Sequence, residues 1–266
     1  MISERLQPLH RLPDALLRPL RGVLTDIDDT LTRDGAIEPV ALHALHLLAQ
    51  AQLPAIAITG RPAGWSEPFA MDWPVAAIVA ENGAVMLRRA GCVLQRDFTQ
   101  DACTRAANLL RLRQCADAVI AALPHARLAR DSAGRLTDIA IDHSEFEHLA
   151  DADITKVLAV MHDHGLKASV SSIHVNGWIG EHDKWSGACW AVEQALDLPF
   201  DPEQWLYVGD STNDQLMFVH LPLSVAVANI RRFVPQLRTL PAYVTPSERG
   251  RGFAEVVQRL LDAKRQ

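Results

Sequence analysis

Two clusters of aspartates follow apolar segments of the chain that are predicted to be buried strands. Asp26 and Asp28 come directly after one apolar run, and Asp210 and Asp214 follow the segment 205–209. In an open parallel sheet the carboxyl ends of neighbouring strands line one crevice, so we expect the two clusters to meet. Mg²⁺ prefers a few carboxylate oxygens together with water and substrate phosphate. The sequence therefore predicts a Mg²⁺ site in which a second carboxylate can act as the nucleophile or the acid of phosphoryl transfer.

The composition is typical of a soluble enzyme. With 266 residues, 48% of them hydrophobic, the chain can bury a sizeable core in one large or two smaller domains. The net charge of −6 argues against nucleic acid or an acidic membrane as a partner, because Lys and Arg dominate such surfaces. A small phosphorylated substrate remains compatible with this charge. The sequence leaves open whether the protein is a monomer or a homodimer.

The cysteines and the N-terminus predict a cytoplasmic location. The four cysteines show no Cys-x-x-Cys spacing and are too few for a disulfide framework, so we expect reduced thiols. Residues 1–22 carry several arginines with prolines between them and no continuous apolar stretch. We therefore expect neither a signal peptide nor a membrane span.

Strands and helices alternate in the two outer parts of the chain. Short apolar runs end in polar residues, and helical periodicity separates them, which favours right-handed parallel crossovers. The predicted strands are 22–24, 55–58, 76–80, 205–208, 224–228 and 243–244, and the predicted helices are 39–52, 185–198, 214–219 and 253–263.

The central part of the chain has a different pattern. It predicts, in order, a helix, two strands joined by a hairpin turn, a second helix and two more strands. These elements are 100–123, 126–130, 136–142, 153–164, 167–171 and 173–179. We interpret the pattern as an α+β domain over 88–176, inserted into an α/β core formed by 1–87 and 177–266.

Four ordered motifs in the sequence resemble those of the haloacid dehalogenase-like (HAD) phosphohydrolases. They are Asp26-x-Asp28-x-Thr30, Thr59-Gly60-Arg61, Asp183-Lys184 and Gly209-Asp210-Ser211-x-Asn213-Asp214. The α+β insertion is similar to the type IIB cap (C2B cap) of sugar-phosphate phosphatases and phosphomannomutases in that superfamily. The resemblance implies a Rossmannoid parallel-sheet core with an inserted cap domain.

The resemblance also implies roles for the aspartates. Asp26 would be the nucleophile that forms an aspartyl-phosphate. Its second oxygen, the backbone carbonyl of Asp28 and the Asp210 carboxylate would hold Mg²⁺, and Asp214 would orient a water on the metal. Asp28 would be the general acid for the leaving alkoxide and then the base for the attacking water. Taken singly, an Asp at a strand end is more often a turn former or a helix cap.

The other motif residues have both a functional and a simpler interpretation. Thr59 would donate to the phosphoryl oxygens but could also cap a helix, and Lys184 would balance the charge of Asp26 or lie exposed on the surface. His174 and Asn176 would reach the leaving group, or would form the exposed polar face of an ordinary strand. The remaining candidates for substrate binding are Gly60, Arg61, Asn82 and Asn213.

Two positions depart from the family pattern. Asp29 stands where the family commonly has Gly, and it places an extra negative charge beside the nucleophile. Asp tolerates unusual backbone angles better than most residues, so the loop can still form. Trp185 stands where many relatives have Gly, at the start of a helix, where it would only pack. Neither change removes a reactive group. Asn229, after the predicted strand 224–228, resembles a family asparagine near the metal loop.

The residues favour a Mg²⁺-dependent phosphomonoesterase that acts on a small, sugar-like phosphorylated metabolite. A phosphomutase could use the same aspartates and return the phosphoryl group to a second hydroxyl. A catalytically idle phosphosugar-binding protein is a third interpretation, although every expected reactive residue is present. Release of inorganic phosphate separates the first interpretation from the other two.

Overall fold

Residues 6–265, the part of the chain that the computed structural model describes, form fifteen strands and eight α-helices. The strands are β1 (Gln7–Pro8), β2 (Gly22–Thr25), β3 (Thr32–Arg33), β4 (Ala36–Ile37), β5 (Ala55–Ile58), β6 (Ala77–Ala80), β7 (Val85–Ala90), β8 (Val93–Phe98), β9 (Arg127–Leu128), β10 (Asp138–Asp142), β11 (Lys167–Val170), β12 (His174–Trp178), β13 (Trp205–Gly209), β14 (Ser224–Ala226) and β15 (Tyr243–Val244). The helices are α1 (Asp14–Leu17), α2 (Pro39–Gln50), α3 (Ala63–Asp72), α4 (Ala102–Ala122), α5 (Asp151–Asp163), α6 (Lys184–Leu196), α7 (Gln215–His220) and α8 (Arg249–Arg265).

The larger sheet has nine strands in the order β1-β15-β14-β13-β2-β5-β6-β7-β8. The pairs are parallel from β1 to β6, and only β6–β7 and β7–β8 are antiparallel. The predicted α/β fold with a parallel sheet is therefore confirmed. β2 and β13 are neighbours, with Thr25 opposite Val208. Because both strands end at the same edge, the loops that follow them lie side by side.

Both faces of the larger sheet are covered, which explains the nearly continuous apolar sequences of its central strands. On one face, Val23 and Leu206 pack in a core with α2 and α8. On the other face, Leu24 and Tyr207 pack in a second core with α6 and α7. Residues with alternating orientation along each strand thus serve two separate cores. This double burial fixes the strand ends that carry the polar loops.

The smaller sheet has four strands in the order β11-β12-β10-β9, and all of its pairs are antiparallel. Helices α4 and α5 pack against it through a hydrophobic core of its own, which includes Leu112, Val119, Val157, Met161 and Val175. We call residues 99–179 the inserted unit. The predicted order of helix, two strands, helix and two strands is confirmed in this unit.

The boundaries predicted at 88 and 176 fall inside β7 and β12. Strands β7 and β8 extend the larger sheet as an antiparallel hairpin, and β12 pairs with β10 as far as Trp178. The sequence pattern changes at Leu87 because the outer half of β7 is exposed, not because the sheet ends there. Helix α8 also begins earlier than predicted, and Gly250 and Gly252 in its first turns allow close contact with Glu38 and Ser247.

Smaller differences concern short elements. The sequence analysis placed no strands at β3 and β4, which form a two-residue antiparallel pair directly after the first acidic loop. The predicted strand 126–130 is shortened to β9, and the predicted strand 224–228 ends at Ala226 because the chain turns into a 3₁₀-helix from Ala228. Among the described residues, none of the helices is long and apolar enough to cross a membrane.

Gly83 tests how closely the loop after β6 must approach the N-terminus of α6. Its φ is +109°, and a Cβ atom there would overlap the backbone carbonyl of Asp183, the N-cap of α6. We expect Gly83→Ala to lower the free energy of unfolding by roughly 1–3 kcal/mol, as measured by urea denaturation. Gly91→Ala is the matched control, because Gly91 also has a positive φ, of +64°, but has open space around it. Equal losses in the two variants would show that the approach to Asp183 does not matter.

Candidate active site

Asp26 follows β2 and forms a buried ion pair with Lys184. The Lys184 Nζ lies 2.5 Å from Asp26 Oδ1 and 2.7 Å from Asp214 Oδ1. Lys184 is the first residue of α6, whose N-terminus is fixed by a reciprocal cap between Asp183 and Ser186. The alternative of an exposed surface lysine is therefore wrong, since Lys184 is only 3% exposed.

The charges around Asp26 do not balance. Burial raises the pKa of Asp26 to about 8, and Asp214 and Asp28 add to the rise, although the Lys184 ammonium opposes it. The pKa of Lys184 is raised in turn, because its two carboxylate partners outweigh the effect of burial. One ammonium group thus faces more than one buried carboxylate, and a further cation would stabilise the ionised forms.

Asp210 supplies the clearest indication of a metal ligand. Its side chain is fully buried, Oδ2 accepts a hydrogen bond of 2.8 Å from Asn229 Nδ2, and Oδ1 has no hydrogen-bond partner within residues 6–265. Burial raises the pKa of Asp210 well above its ordinary value, and the charges of Asp26 and Asp214 raise it further. Oxygens of these three aspartates lie within 4.8 Å of one another. An orphaned carboxylate oxygen in such a cluster fits a divalent cation with oxygen ligands.

Asp214 already accepts hydrogen bonds on both oxygens. Besides Lys184, the Tyr207 hydroxyl donates to Oδ1 at 2.5 Å, and the backbone N–H groups of Asp210 and Ser211 donate to Oδ2 at 2.8 and 3.0 Å. These bonds hold the acidic loop and the lysine in place. The predicted contact with a water on the metal stays a prediction. Asn213 accepts a hydrogen bond from Ser211 Oγ at 2.8 Å and lines the same small cavity as Asp26.

Asp28 is held by the second motif. Arg61 Nε donates to Asp28 Oδ1 at 2.9 Å and to Oδ2 at 3.1 Å. Thr59 Oγ1 lies 3.5 Å from Asp28 Oδ2 and accepts a hydrogen bond of 2.9 Å from the Arg61 backbone N–H. The loop after β5 thus positions the carboxylate that follows β2. Whether Thr59 donates to a phosphoryl group stays a prediction.

Arg61 also contacts the inserted unit. Its Nη1 lies 3.1 Å from Asp131 Oδ2, and its Nη2 lies 2.6 Å from Glu145 Oε1. The guanidinium stacks over the Trp65 ring at 4.8 Å and is 4% exposed. Burial alone would raise the pKa of Glu145, but hydrogen bonds from His174 and Arg61 lower it to about 2. The sequence analysis missed Asp131 and Glu145, because nothing in their spacing distinguishes them from other surface acids.

His174 and Asn176 are buried at the junction between the inserted unit and the larger sheet. Each is 1% exposed, so the alternative of an exposed strand face is wrong. His174 Nε2 lies 2.9 Å from Glu145 Oε2, and Asn176 Nδ2 donates to the Gly60 carbonyl at 3.1 Å. Both side chains line the small cavity next to Asp26. Their contact with a leaving group stays a prediction.

The loop after β6 joins the inserted unit to the core through Glu81. The Glu81 carboxylate is fully buried and accepts hydrogen bonds from the N–H groups of Ala63, Leu136 and Thr137 and from the Thr137 hydroxyl. Asn82 follows in a left-handed conformation, with φ of 54°, and its backbone N–H donates to the Thr59 carbonyl. Both residues lie in the predicted polar segment at the end of the strand 76–80, but the sequence analysis named only Asn82 as a candidate site residue and predicted no contact for Glu81.

Gly60 lies where these groups converge. A Cβ atom there would lie 3.2 Å from Asn176 Oδ1 and 3.3 Å from the Asn82 side-chain amide. The carbonyl of Gly60 also accepts a hydrogen bond of 3.0 Å from Arg135 of the inserted unit. The absence of a side chain at Gly60 thus lets the inserted unit approach the loop that holds Asp28.

The extra charge of Asp29 is neutralised by two arginines. Asp29 has φ of 57°, and its carboxylate lies 2.9 Å from Arg232 Nη2 and 2.7 Å from Arg249 Nε. Asn229 Nδ2 donates both to the Asp29 carbonyl and to Asp210. Asn229 therefore contacts the loop that carries Asp210, and a place near a metal ion stays a prediction. Trp185 packs against Phe200 and His220, which agrees with a packing role.

A cavity of about 180 Å³ opens beside Asp28, between the loops of the larger sheet and the inserted unit. Its lining is mostly polar and includes Asp29, Glu145, Arg249 and Ser172. The smaller cavity at Asp26, of about 10 Å³, is lined by side chains of both parts of the molecule. The cavity beside Asp28 has room for a small polar molecule, whereas the cavity at Asp26 has room for about one water.

Comparisons with known proteins find similar sequences and folds over nearly the whole chain. A curated phosphoglycolate phosphatase from Methanoculleus marisnigri is 27% identical over 248 residues, which cover 90% of this chain and 96% of that protein. A crystal structure of a Thermoplasma acidophilum protein matches with a TM-score of 0.68 and 18% identity, and the match covers 91% of this chain and 98% of that one. The sucrose-phosphatase of Synechocystis, solved with sucrose and phosphate, matches with a TM-score of 0.64 and 16% identity, over 91% and 98% of the two chains.

The family comparison covers the first two of the four motifs. The model of the haloacid dehalogenase-like hydrolases matches residues 23–173, which include Asp26, Asp28, the Thr59 motif and most of the inserted unit. The two solved structures share the fold with this chain. By the match to the family model, the chain belongs to the haloacid dehalogenase-like hydrolases.

Proposed function

We propose that this protein is a cytoplasmic, Mg²⁺-dependent phosphomonoesterase that acts on a small phosphorylated metabolite, most simply a sugar phosphate. The observation that carries the proposal is the buried pair of Asp26 and Lys184 beside the unpartnered oxygen of Asp210. Membership of a hydrolase family supports it. So do the name of the phosphoglycolate phosphatase relative and the likeness in fold to a sucrose-phosphatase.

The residues that would hold Mg²⁺ are Asp26, Asp210 and the backbone carbonyl of Asp28. When bound, the ion supplies positive charge to the phosphate oxygens, which a carboxylate nucleophile would otherwise repel. The unpartnered Asp210 Oδ1 and the raised pKa of Asp210 fit this assignment, because both reflect missing positive charge in the cluster. Lys184 holds the nucleophile in the same cluster.

The proposed chemistry has two steps on one carboxylate. In the first, an Asp26 oxygen attacks phosphorus, the bond to the leaving oxygen breaks, and Asp28 gives that oxygen its proton. In the second, a water attacks the phosphorus of the aspartyl-phosphate, Asp28 takes a proton of the water, and the bond between the Asp26 oxygen and phosphorus breaks, which frees inorganic phosphate and regenerates the Asp26 carboxylate. Thr59 and Lys184 stabilise the charge that develops on the phosphoryl oxygens.

We further propose that the inserted unit is a cap that selects the substrate. The lining of the cavity of about 180 Å³ beside Asp28 includes four acids and three arginines, which suits a polar leaving group with several hydroxyl or carboxylate oxygens. His174 and Asn176 lie where the cap meets the catalytic loops. Binding residues in this position can exclude water while the leaving group departs.

A substrate screen tests the activity directly. Purified protein with Mg²⁺ is incubated with phosphorylated sugars, sugar acids, phosphoglycolate and nucleotides, and released phosphate is measured. We expect release from at least one small phosphomonoester and loss of release when EDTA removes the metal. Interconversion of sugar-phosphate isomers without phosphate release would instead identify a phosphomutase. Absence of turnover on the whole panel would contradict the proposal.

Asp26→Asn and Asp28→Asn separate the two proposed carboxylate roles. Asp26→Asn removes the nucleophile and a metal ligand, so we expect no turnover and weaker Mg²⁺ binding by calorimetry. Asp28→Asn should lower kcat by about 10²–10⁴-fold, the usual contribution of general acid–base catalysis, and should leave Mg²⁺ binding intact, because the proposed ligand there is a carbonyl. Equal losses of Mg²⁺ affinity would refute this division, and thermal melts check that both variants fold.

Asp29→Gly tests whether the unusual aspartate supports the metal site. Without the Asp29 carboxylate, Arg232 is expected to turn towards Asp210, whose Oδ2 lies 3.7 Å from its Nη2. An arginine on a metal ligand competes with the cation, so we expect Mg²⁺ affinity to fall about tenfold, within the usual range for residues that support metal ligands.

Asp34→Gly is the matched control for Asp29→Gly. Asp34 also has a left-handed backbone, with φ of 52°, but makes no ion pair within residues 6–265. Calorimetric titration of both variants with Mg²⁺ measures the difference. An unchanged affinity in Asp29→Gly would show that the two arginines serve only to neutralise Asp29.

A further inference from the structure

Arg61 is the only described side chain that bonds both to the Asp28 carboxylate and to acids of the inserted unit. Its Nε holds Asp28, while its two Nη atoms reach Asp131 and Glu145. Asp131 follows β9 and Glu145 follows β10, so two different loops of the inserted unit form ion pairs with the same guanidinium. The Arg61 side chain at the centre of these contacts is buried, with only 4% of its surface exposed.

The guanidinium makes this connection rigid. Its donors lie in one plane at fixed angles, and Glu145 takes two of them, with Nη1 at 3.2 Å from Oε2 and Nη2 at 2.6 Å from Oε1. A bidentate contact fixes the plane of the group, so it also fixes the direction of the Nε–H that reaches Asp28. The orientation of the Asp28 carboxylate therefore depends on the position of Glu145, because the Arg61 side chain contacts both.

Glu145 is itself held in place by the inserted unit. The Asp142 carboxylate at the end of β10 accepts hydrogen bonds from the backbone N–H groups of Ser144, Glu145 and Phe146, at 3.2, 2.9 and 3.1 Å. From β12, His174 Nε2 adds a contact of 2.9 Å to Glu145 Oε2. These bonds tie the Glu145 carboxylate to the body of the unit, so it moves when the unit moves.

We propose that Glu145 is a positioning residue for Asp28 and acts through Arg61, so that the catalytic geometry is complete only when the inserted unit covers the site. The inference rests on the proposed function, in which Asp28 transfers protons. If the unit swings away, Arg61 loses its contacts to Asp131 and Glu145 and keeps those to Asp28 and the Trp65 ring. The bidentate contact then no longer fixes the plane of the guanidinium, and Asp28 is held less firmly in its orientation towards the leaving oxygen.

A double-mutant cycle tests the proposal with the substrate that the phosphate-release screen identifies. Glu145→Gln keeps the size of the side chain but removes its charge. We expect kcat to fall about tenfold with little change in KM, because orientation of Asp28 is lost while the binding groups remain. In the Asp28→Asn background, Glu145→Gln should cause no further fall, since it acts only through Asp28. Additive losses in the two backgrounds would overturn the proposal.

Glu147→Gln is the matched control. It removes the same charge two residues along the loop, where the structure gives Glu147 no hydrogen-bond or ion-pair partner among the described residues. We expect wild-type kcat and KM in this variant. If Glu145→Gln raises KM and leaves kcat unchanged, Glu145 contacts the substrate directly and the positioning role is wrong.

A second measurement does not depend on activity. In nuclear magnetic resonance spectra, the Nε–H proton of Arg61, assigned by its loss in Arg61→Lys, should exchange slowly with water in the wild type and in Glu147→Gln. It should exchange at least several-fold faster in Glu145→Gln. An unchanged exchange rate would overturn the proposal even if the enzyme is active. Lack of turnover in the wild type on every substrate would refute the proposed function instead, while the exchange experiment still reports on the Arg61 contacts.

Discussion

The Lys184 ammonium between Asp26 and Asp214 is the interaction on which the rest of the site depends. Burying these three charges is costly, and further donors to Asp214, the Tyr207 hydroxyl and the backbone N–H groups of Asp210 and Ser211, help to stabilise the arrangement. Loss of the lysine would leave two buried carboxylates without a countercharge, a change that costs roughly 3–5 kcal/mol in comparable cases. The same ammonium that pairs with Asp26 thus also holds Asp214 and the acidic loop in place.

The larger sheet makes this interaction possible. Four loops after parallel strands supply Asp26, Thr59, Glu81 and Asp210, and strand pairing brings these loops to one edge although they are far apart in the sequence. The lysine arrives from the first turn of α6, on the same edge. Two hydrophobic cores, one on each face, keep the strand ends rigid, so the carboxylates can be held close together against their mutual repulsion.

The sequence was sufficient to predict the α/β core, the order of elements in the inserted unit and the convergence of Asp26, Asp210 and Lys184. The core and the two aspartates follow from local patterns, such as buried apolar strands ending in acids, combined with the geometry of parallel sheets, whereas the place of Lys184 followed only from the family resemblance. The contacts of Arg61 with Asp131 and Glu145 could not be predicted, because they depend on how the inserted unit lies on the core. The hairpin of β7 and β8 was missed for a related reason, since an exposed strand at a sheet edge has the same composition as a loop.

Glu81 gives the two parts of the molecule a shared structural element. Its carboxylate binds the first turn of α3 in the core through Ala63 and the backbone of Leu136 and Thr137 in the inserted unit. The Glu81 carboxylate therefore accepts hydrogen bonds from the core and from the inserted unit at the same time. An inserted unit taken from another member of the family would need matching donors at these positions. Exchange of such units between relatives is thus constrained at this junction, even where the hydrophobic core of the unit is independent of the larger sheet.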